Sequence, residues 1–196
     1  MTVDGHIPMA TMTSEIPLMG PVADAQDFRQ TMGSFPTPVA VVTALDSDGV
    51  PRGLTCSAVC SVSMDPPSML VCVNRRNGSL DAIRHSGGFV INLLCDDRQH
   101  VSDVFASASP QKFADAEWQP SPISGLPHLH DDSLAFVDCR LQAEIVAGSH
   151  AILIGTVRSS GAGGRTPDSG PLVYYARSYG RWAPSLSVED ELPGRS

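Results

Sequence analysis

The sequence predicts a mainly β fold with small helices, its strands closed into a barrel or sandwich, and three observations carry that prediction. Composition is the first: 17 Gly and 16 Pro stand against 2 Trp and 3 Tyr in 196 residues, the balance of many short segments joined by turns. The second is strict alternation. From Ala135 to Ala147 every odd position is apolar, and the even positions Asp138, Arg140, Gln142 and Glu144 are polar, which predicts a long strand with one wet face. The third is a series of apolar and β-branched runs bounded by turn residues, without the longer helices that an open parallel α/β sheet would need.

Taken in order, Asp24 is the N-cap of a short helix through Met32 that carries Phe28 on one face, and Pro36 and Pro38 end any helix. Val39 to Leu45 is a β-branched strand, and Asp46-Ser47-Asp48-Gly49 turns it into a strand around Gly53 to Val59. Met69 to Val73 is a strand and Ser79 to Ser86 a helix stopped by Gly87-Gly88. Phe89 to Leu94 is a strand, and Asp96 to Ala106 is a helix with Val101, Val104 and Phe105 inward. Gly148-Ser149 turns the alternating strand into Ala151 to Val157, apolar nearly throughout and so expected to be buried on both sides. A Gly-rich loop, Gly161 to Gly164, leads to a last strand at Leu172 to Tyr175. Residues 1–22 and 185–196 read as flexible tails around one domain at 23–184.

With 13 Lys and Arg against 21 Asp and Glu, the net charge is −8, which argues against a nucleic-acid or anionic-membrane partner held by overall charge. No apolar run reaches the roughly 20 residues of a membrane helix. Met1 to Pro21 lacks the features of an export signal. Cys56, Cys60, Cys72, Cys95 and Cys139 are odd in number and form no C-x-x-C pair, so reduced, buried thiols and a cytoplasmic location are expected. Cys56 and Cys60 would share a face if they lay on one strand.

Three constellations could carry chemistry. Gly53 to Ser63 is crowded with small hydroxyl side chains, which suits either the wall of a planar polar ligand or an edge strand facing water. Asn74-Arg75-Arg76-Asn77-Gly78-Ser79 leaves a strand and enters a helix; it reads as a phosphate cradle of free amides and arginines, or as an ordinary loop. His150 follows a turn between the two strongest strands, where a histidine is either half exposed or used for hydrogen bonding near neutral pH. His128 and His130 lie in a Pro-rich loop without ligand spacing, so no metal is expected, and His6, His85 and His100 read as surface residues. Rossmann, P-loop, zincin and nucleophile-elbow signatures are absent from the sequence.

In this order the segments resemble the short flavin reductases, the reductase components of two-component flavin-dependent monooxygenases. The resemblance is carried by Phe35-Pro36-Thr37-Pro38-Val39-Ala40-Val41-Val42-Thr43 and by Gly53 to Ser63 followed by Asp65-Pro66-Pro67 and Leu70-Val71-Cys72-Val73. Phe89 to Leu94, Lys112-Phe113 with Trp118, Gly148-Ser149-His150, and Pro171 to Tyr174 with Tyr179 complete the series. It implies an FMN-binding split β-barrel of Greek-key type, a homodimer, binding FAD or FMN (FAD the favoured of the two) and taking hydride from NADH or NADPH onto flavin N5. Reduced flavin would then diffuse to a partner monooxygenase.

By the same resemblance Thr37, Pro38, Val39, Thr55, Cys56, Ser57, Ala58 and Ser61 would line the isoalloxazine and ribityl chain. Asn74, Arg75, Asn77 and Ser79 would approach the phosphate end. Lys112 and Phe113 would complete the flavin site, and His150, the candidate catalytic residue, would flank the nicotinamide with Tyr174 and Tyr179. Four positions depart from the family pattern. Pro38 stands where Gly is usual, removing an amide donor and leaving Thr37 or Val39 to make that contact. Ala58 and Cys60 replace hydroxyl or amide side chains, and Ser149 replaces an Asp that could orient the imidazole of His150. NADH is the expected donor, with Arg165, Arg177 and Arg181 the residues that would serve NADPH. A flavin- or haem-binding module without reductase activity and a pyridoxamine-phosphate-oxidase-like FMN enzyme are the rival readings.

Overall fold

A computed structural model describes residues 10–12, 20–114, 116–165 and 169–183. Its strands and helices in chain order are β1 (Ala10–Met12), α1 (Ala25–Met32), β2 (Thr37–Pro38), β3 (Ala40–Leu45), β4 (Pro51–Cys56), β5 (Val59–Met64) and β6 (Pro67–Asn74). There follow α2 (Ser79–Ser86), β7 (Gly88–Leu94), α3 (Gln99–Ala106), β8 (Gln119–Pro120) and β9 (Pro127–His128). The long hairpin of β10 (Ser133–Ala147) and β11 (His150–Ala162) precedes β12 (Leu172–Tyr175) and β13 (Ser178–Arg181). The fold is mainly β with few helices, as the sequence predicts. His6 and the expected tail at 185–196 lie outside the described residues. Within the expected N-terminal tail, β1 runs parallel to Ala143–Ile145 of β10.

The main sheet runs β4-β3-β7-β10-β11-β6-β5. Its two edge strands, β4 and β5, are consecutive in the chain and joined only by Ser57 and Ala58. A link of two residues spans about 10 Å at most, so the sheet must roll until its edges approach. Cys56 Sγ at the end of β4 reaches the carbonyl of Cys72 on β6 at 3.5 Å, while Cys72 N–H donates to Ala58 O at 3.0 Å. No backbone ladder joins β4 to β5 or β6 across the seam, so the roll is split rather than closed.

The hydroxyl-rich run Gly53 to Ser63 is therefore two strands on opposite edges, not one. Cys56 and Cys60 consequently share no face: Cys56 is buried and Cys60 exposed.

Two apolar cores lie on either side of β3, whose residues alternate between them. Ala40, Val42 and Ala44 pack with Leu54, Val71, Ile83, Phe89 and Leu153 inside the roll. Val39 and Val41 pack outside it with Leu94, Phe105, Leu129 and Leu172. Fully buried Asn92 stitches the layers, its Nδ2 donating to Val41 O and Thr43 Oγ1 and its Oδ1 accepting from Leu129 N–H.

The expected wet face of β10 is half covered. Asp138 is fully buried because the connection before β9 folds over it, with Ser121 Oγ and Ser124 N–H donating to its Oδ2. Glu144 is buried under α2, where Arg84 grips it through Nε at 3.0 Å and Nη2 at 2.6 Å. On β11, Ala151, Leu153 and Gly155 are buried, whereas Ile152 and Ile154 are half-buried, so burial on both sides is not complete. The helix expected from Asp96 begins at Gln99, because Arg98 N–H closes a turn onto Cys95 O. Val104 faces out at 42% exposure, since only Val101, Ser102 and Phe105 meet the sheet. The chain also adds β13 after the expected last strand. Its hairpin with β12 turns through Ala176 and Arg177, both at positive φ, and Ala176 N–H donates to Gly33 O at the end of α1. Helix α1 buries none of its residues, and Phe28 is exposed.

Among the described residues no helix is long and apolar enough to cross a membrane, and no cluster of His, Cys, Asp and Glu is arranged to hold a metal ion. His128 instead packs on Phe136 with ring centroids 4.2 Å apart, and its Nε2 is buried without a partner. Burial, then the neighbouring His130, pushes its imidazole below the ordinary value of 6.5. A base whose folded-state pKa is lowered binds its proton more readily in the unfolded chain, so stability should fall as pH drops below about 6.5. His128→Phe should flatten that slope in urea titrations between pH 5 and 7.5, while changing stability at pH 7.5 by less than about 1.5 kcal/mol. At Gly155 a Cβ would sit 2.8 Å from Cys139 Cβ and 2.9 Å from Phe89 Cζ, so Gly155→Ala should cost about 1–3 kcal/mol, read as a lower urea midpoint.

Candidate active site

The candidate residues fall into three groups. The first surrounds the small sheet in which β12 pairs with both β13 and β2, opposing Tyr174 to Thr37 and Val173 to Pro38. Tyr174 and Tyr179 meet edge to face, 5.2 Å between centroids. Tyr179 OH donates to Asp103 Oδ1 at 2.9 Å and so accepts from Ser102 Oγ, also at 2.9 Å. Thr55 Oγ1 donates to Ser102 O at 2.6 Å. Thr37, Thr55, Tyr174 and Tyr179 are thus joined through buried Ser102 of α3, which the sequence did not single out. Burial, together with the Asp103 carboxylate, pushes the Tyr179 phenol above its ordinary range and keeps it a neutral donor.

Several of the expected donors are already engaged. Pro38 has no N–H, and the N–H of buried Val39 donates to Leu172 O at 3.1 Å, so Val39 cannot substitute for the missing amide. The Thr55 hydroxyl is committed to α3. Burial pushes the Cys56 thiol up to about 11, which keeps it neutral. Exposed at the seam are Ser57 and Ala58, and Ser61 is exposed on β5 beside a bulge.

The second group lines a cavity of about 710 Å³ between the β3–β4 hairpin, the start of α2 and residues 106–113. Asn77, Ser79, Lys112 and Phe113 all face it, with Arg76 of the candidate cradle and with Arg52 and His85, which the sequence did not flag as site residues. Lys112 Nζ donates to Phe105 O at 2.8 Å and Gly53 O at 3.3 Å, and burial pulls its ammonium below the usual range. Phe113 stands edge-on to Phe105, 4.9 Å between centroids. The expectation of free amides at this helix start is corrected. Ser79 N–H donates to Asn77 Oδ1 and Leu80 N–H to Asn77 O, so Asn77, just ahead of the Gly78 cap, takes up two of these amides and the arginine side chains remain as anion donors.

The third group is at the β10–β11 turn, where His150 pairs with Asn74 across the ladder. Arg75 is held there by its N–H on Ser149 O at 3.0 Å and Nη1 on Gly148 O at 3.3 Å. Ser149 Oγ lies 2.9 Å from His150 Nδ1, so a hydroxyl occupies the orienting position that an Asp would fill. A neighbouring cleft of about 590 Å³ is lined by Asn74, Arg75, Arg76, Arg84 and Ser149, and Arg76 faces both cavities. His150 is exposed, and among the described residues no hydrogen bond or ring contact links it to Tyr174 or Tyr179.

A family model described as the flavin reductase like domain matches residues 32–183. The chain belongs to the flavin reductase family. It is 40% identical over 176 residues to a flavin reductase (NADH) of Kitasatospora aureofaciens, covering 90% of this chain and 91% of that one. To a flavin reductase (NADPH) of Lentzea aerocolonigenes it is 39% identical over 173 residues, covering 88% and 99%. The crystal structure of nitrilotriacetate monooxygenase component B from Mycobacterium thermoresistibile superposes with a TM-score of 0.74 at 34% identity, over 87% of this chain and 91% of that one.

A flavin reductase holds a polar planar cofactor with an anionic end, and the donor chemistry fits: a hydroxyl-bearing exposed seam at Ser57, with Arg75 and Arg76 at the start of α2. Ser102 and Asp103 escaped sequence reading because their partner Tyr179 is far along the chain; the only available sign was a buried-face serine between Val101 and Phe105. Tyr179→Phe and Ser102→Ala should each cost about 1 kcal/mol. In a double-mutant cycle by urea denaturation the two should couple by about 0.5–1.5 kcal/mol. Strict additivity would refute the shared hydrogen bond.

Proposed function

We propose that this protein is an NAD(P)H:flavin oxidoreductase that delivers diffusible reduced flavin to a separate monooxygenase. The observation that carries the reading is the end-to-end likeness to flavin reductases, spanning every residue group described above. When both cofactors are bound, nicotinamide supplies a hydride and flavin accepts it. The chain's part is to bind and orient. Ser57 and Ala58, with Thr37, would border the flavin ring at the seam. Asn74, Arg75, Asn77 and Ser79, with Arg76, would receive the phosphate end. Tyr174 and Tyr179 would wall the ring through the α3 network, and His150, set by Ser149, would position nicotinamide. Engaged donors such as Thr55 and Lys112 would act by fixing the wall.

NADH is the proposed donor, because Arg165 pairs with Asp97 and Arg181 with Asp96, which reduces their value for a 2′-phosphate. We read the protein as a cytoplasmic homodimer. Half-buried Ile145 opposes Ile152, and Ala143 opposes Ile154, on one face of the β10–β11 hairpin that a second copy would cover. Absorbance at 340 nm in the four pairings of FAD or FMN with NADH or NADPH tests the reaction; oxidation should require added flavin and run faster with NADH. His150→Ala should lower kcat/KM for NADH about tenfold or more with little change in flavin affinity. Unchanged steady-state kinetics would remove His150 from the mechanism.

A further inference from the structure

We propose that the outer face of the β10–β11 hairpin holds an internal water-binding site beneath residues 119–128, in which one ordered water bridges Asp138 Oδ1 and Ser159 Oγ. The first argument is an account of buried polar atoms, which in a folded chain find hydrogen-bond partners. Among the described residues five buried side-chain atoms have none: Arg98 Nε, Arg165 Nε, His128 Nε2, Asp138 Oδ1 and Ser159 Oγ. Arg98 and Arg165 are already ion-paired, with Asp132 and Asp97. The other three belong to one place, Asp138 and Ser159 on the hairpin and His128 in the segment that covers it. Asp138 is the register partner of Ser159, so the two side chains leave the same face with Cβ atoms about 4.5–5.5 Å apart. Phe136, two residues earlier on that face, carries the His128 ring.

The chemistry of the carboxylate is the second argument. Asp138 is fully buried and forms no ion pair among the described residues, so hydrogen-bond donors must compensate its oxygens. Ser121 Oγ and Ser124 N–H both donate to Oδ2, which leaves Oδ1 without a donor. The Ser159 hydroxyl stands on the same face but makes no hydrogen bond to it. Two bonds of about 2.8 Å through one water span up to about 5.5 Å, the scale of a cross-strand pair. Water donates to Oδ1 and serves the Ser159 hydroxyl as either partner, so a single molecule satisfies both atoms. The bridge has a mechanical consequence. Pro127 O is held by Thr43 Oγ1 and Leu129 N–H by Asn92 Oδ1, whereas Ser121 and Ser124 are tied to the sheet through Asp138. The water thus fixes the carboxylate that anchors the first half of the cover and leaves the second half independent.

The test is a high-resolution crystal structure of the full chain, joined to amide hydrogen exchange. Density for one water should lie about 2.6–3.2 Å from both Asp138 Oδ1 and Ser159 Oγ. No density there, or a direct bond between the two side chains, overturns the proposal. So does a peak ringed by six or more oxygens at about 2.3–2.6 Å, which is a cation. Ser159→Ala should speed exchange of the Ser124 amide about tenfold while changing that of the Leu129 amide less than about twofold. Ser159→Thr, which keeps the hydroxyl, should retain both the density and the slow exchange of Ser124. Equal acceleration of the two amides in Ser159→Ala, or no acceleration of either, removes the water from the anchor. If Ser159→Ala does not fold, the density in the unaltered chain and in Ser159→Thr decides the matter.

Discussion

The two-residue link Ser57–Ala58 is the constraint on which the rest of the structure depends. It joins the outermost strands of a seven-strand path, so every strand between them must curve enough to bring the edges together. The β10–β11 ladder bends at two register shifts, where Arg158 on β11 and Gln142 on β10 are the extra residues. It also needs Gly155, where the Phe89 ring and Cys139 occupy the space a side chain would take. The same link leaves a seam across which no ladder forms, and a seam is where unpaired, exposed backbone and small side chains can meet a ligand. The fold thus puts the proposed flavin site at the place where it fails to close.

Around that seam, polar groups divide into those that build and those that remain available. Val39 N–H, the Thr55 hydroxyl, Ser79 N–H and the Lys112 ammonium are all engaged within the chain. A buried donor must find a partner, and each of these finds one within the chain. These donors are satisfied without a ligand. A reductase that gives up its product flavin has reason to be built in this way.

Much of the fold was legible because its signals are local. The helix Ser79–Ser86 ends at Gly87 in the left-handed region, the turn at Asp46–Gly49 is where its residues predict, and β10 and β11 follow from alternation and a turn. What escaped depended on distant partners. The carboxylates of Asp138 and Glu144 look like a wet face until Ser121 and Arg84 arrive from elsewhere in the chain. The break at Ser57 is invisible to periodicity, since both flanking strands are rich in the same small residues. β13 contains Gly180 and two polar residues and pairs only because β12 is already in place. At the proposed site, the sequence offers candidates at the seam and the cradle, but which of their donors are free it could not show. That depends on Leu172, Ser102 and Asn77 reaching them in three dimensions.

The same distinction explains how a chain of net charge −8 can receive an anionic cofactor. Its acidic excess is distributed as partners: Arg52 lies on Asp46, Arg84 on Glu144 and Asp81, Arg98 on Asp132, Arg165 on Asp97 and Arg181 on Asp96. Among the described residues Arg75 and Arg76 form no ion pair, as Arg29, Arg140, Arg158 and Arg177 do not, but of these six only Arg75 and Arg76 line a cavity. Within a Debye length of roughly 8 Å at physiological salt, it is those two side chains and not the distant surplus that a phosphate experiences. Net charge sets solubility and the repulsion of polyanions, while the pattern of pairing decides where a small anion can settle. In this chain that pattern points to the strand-to-helix loop at the mouth of α2.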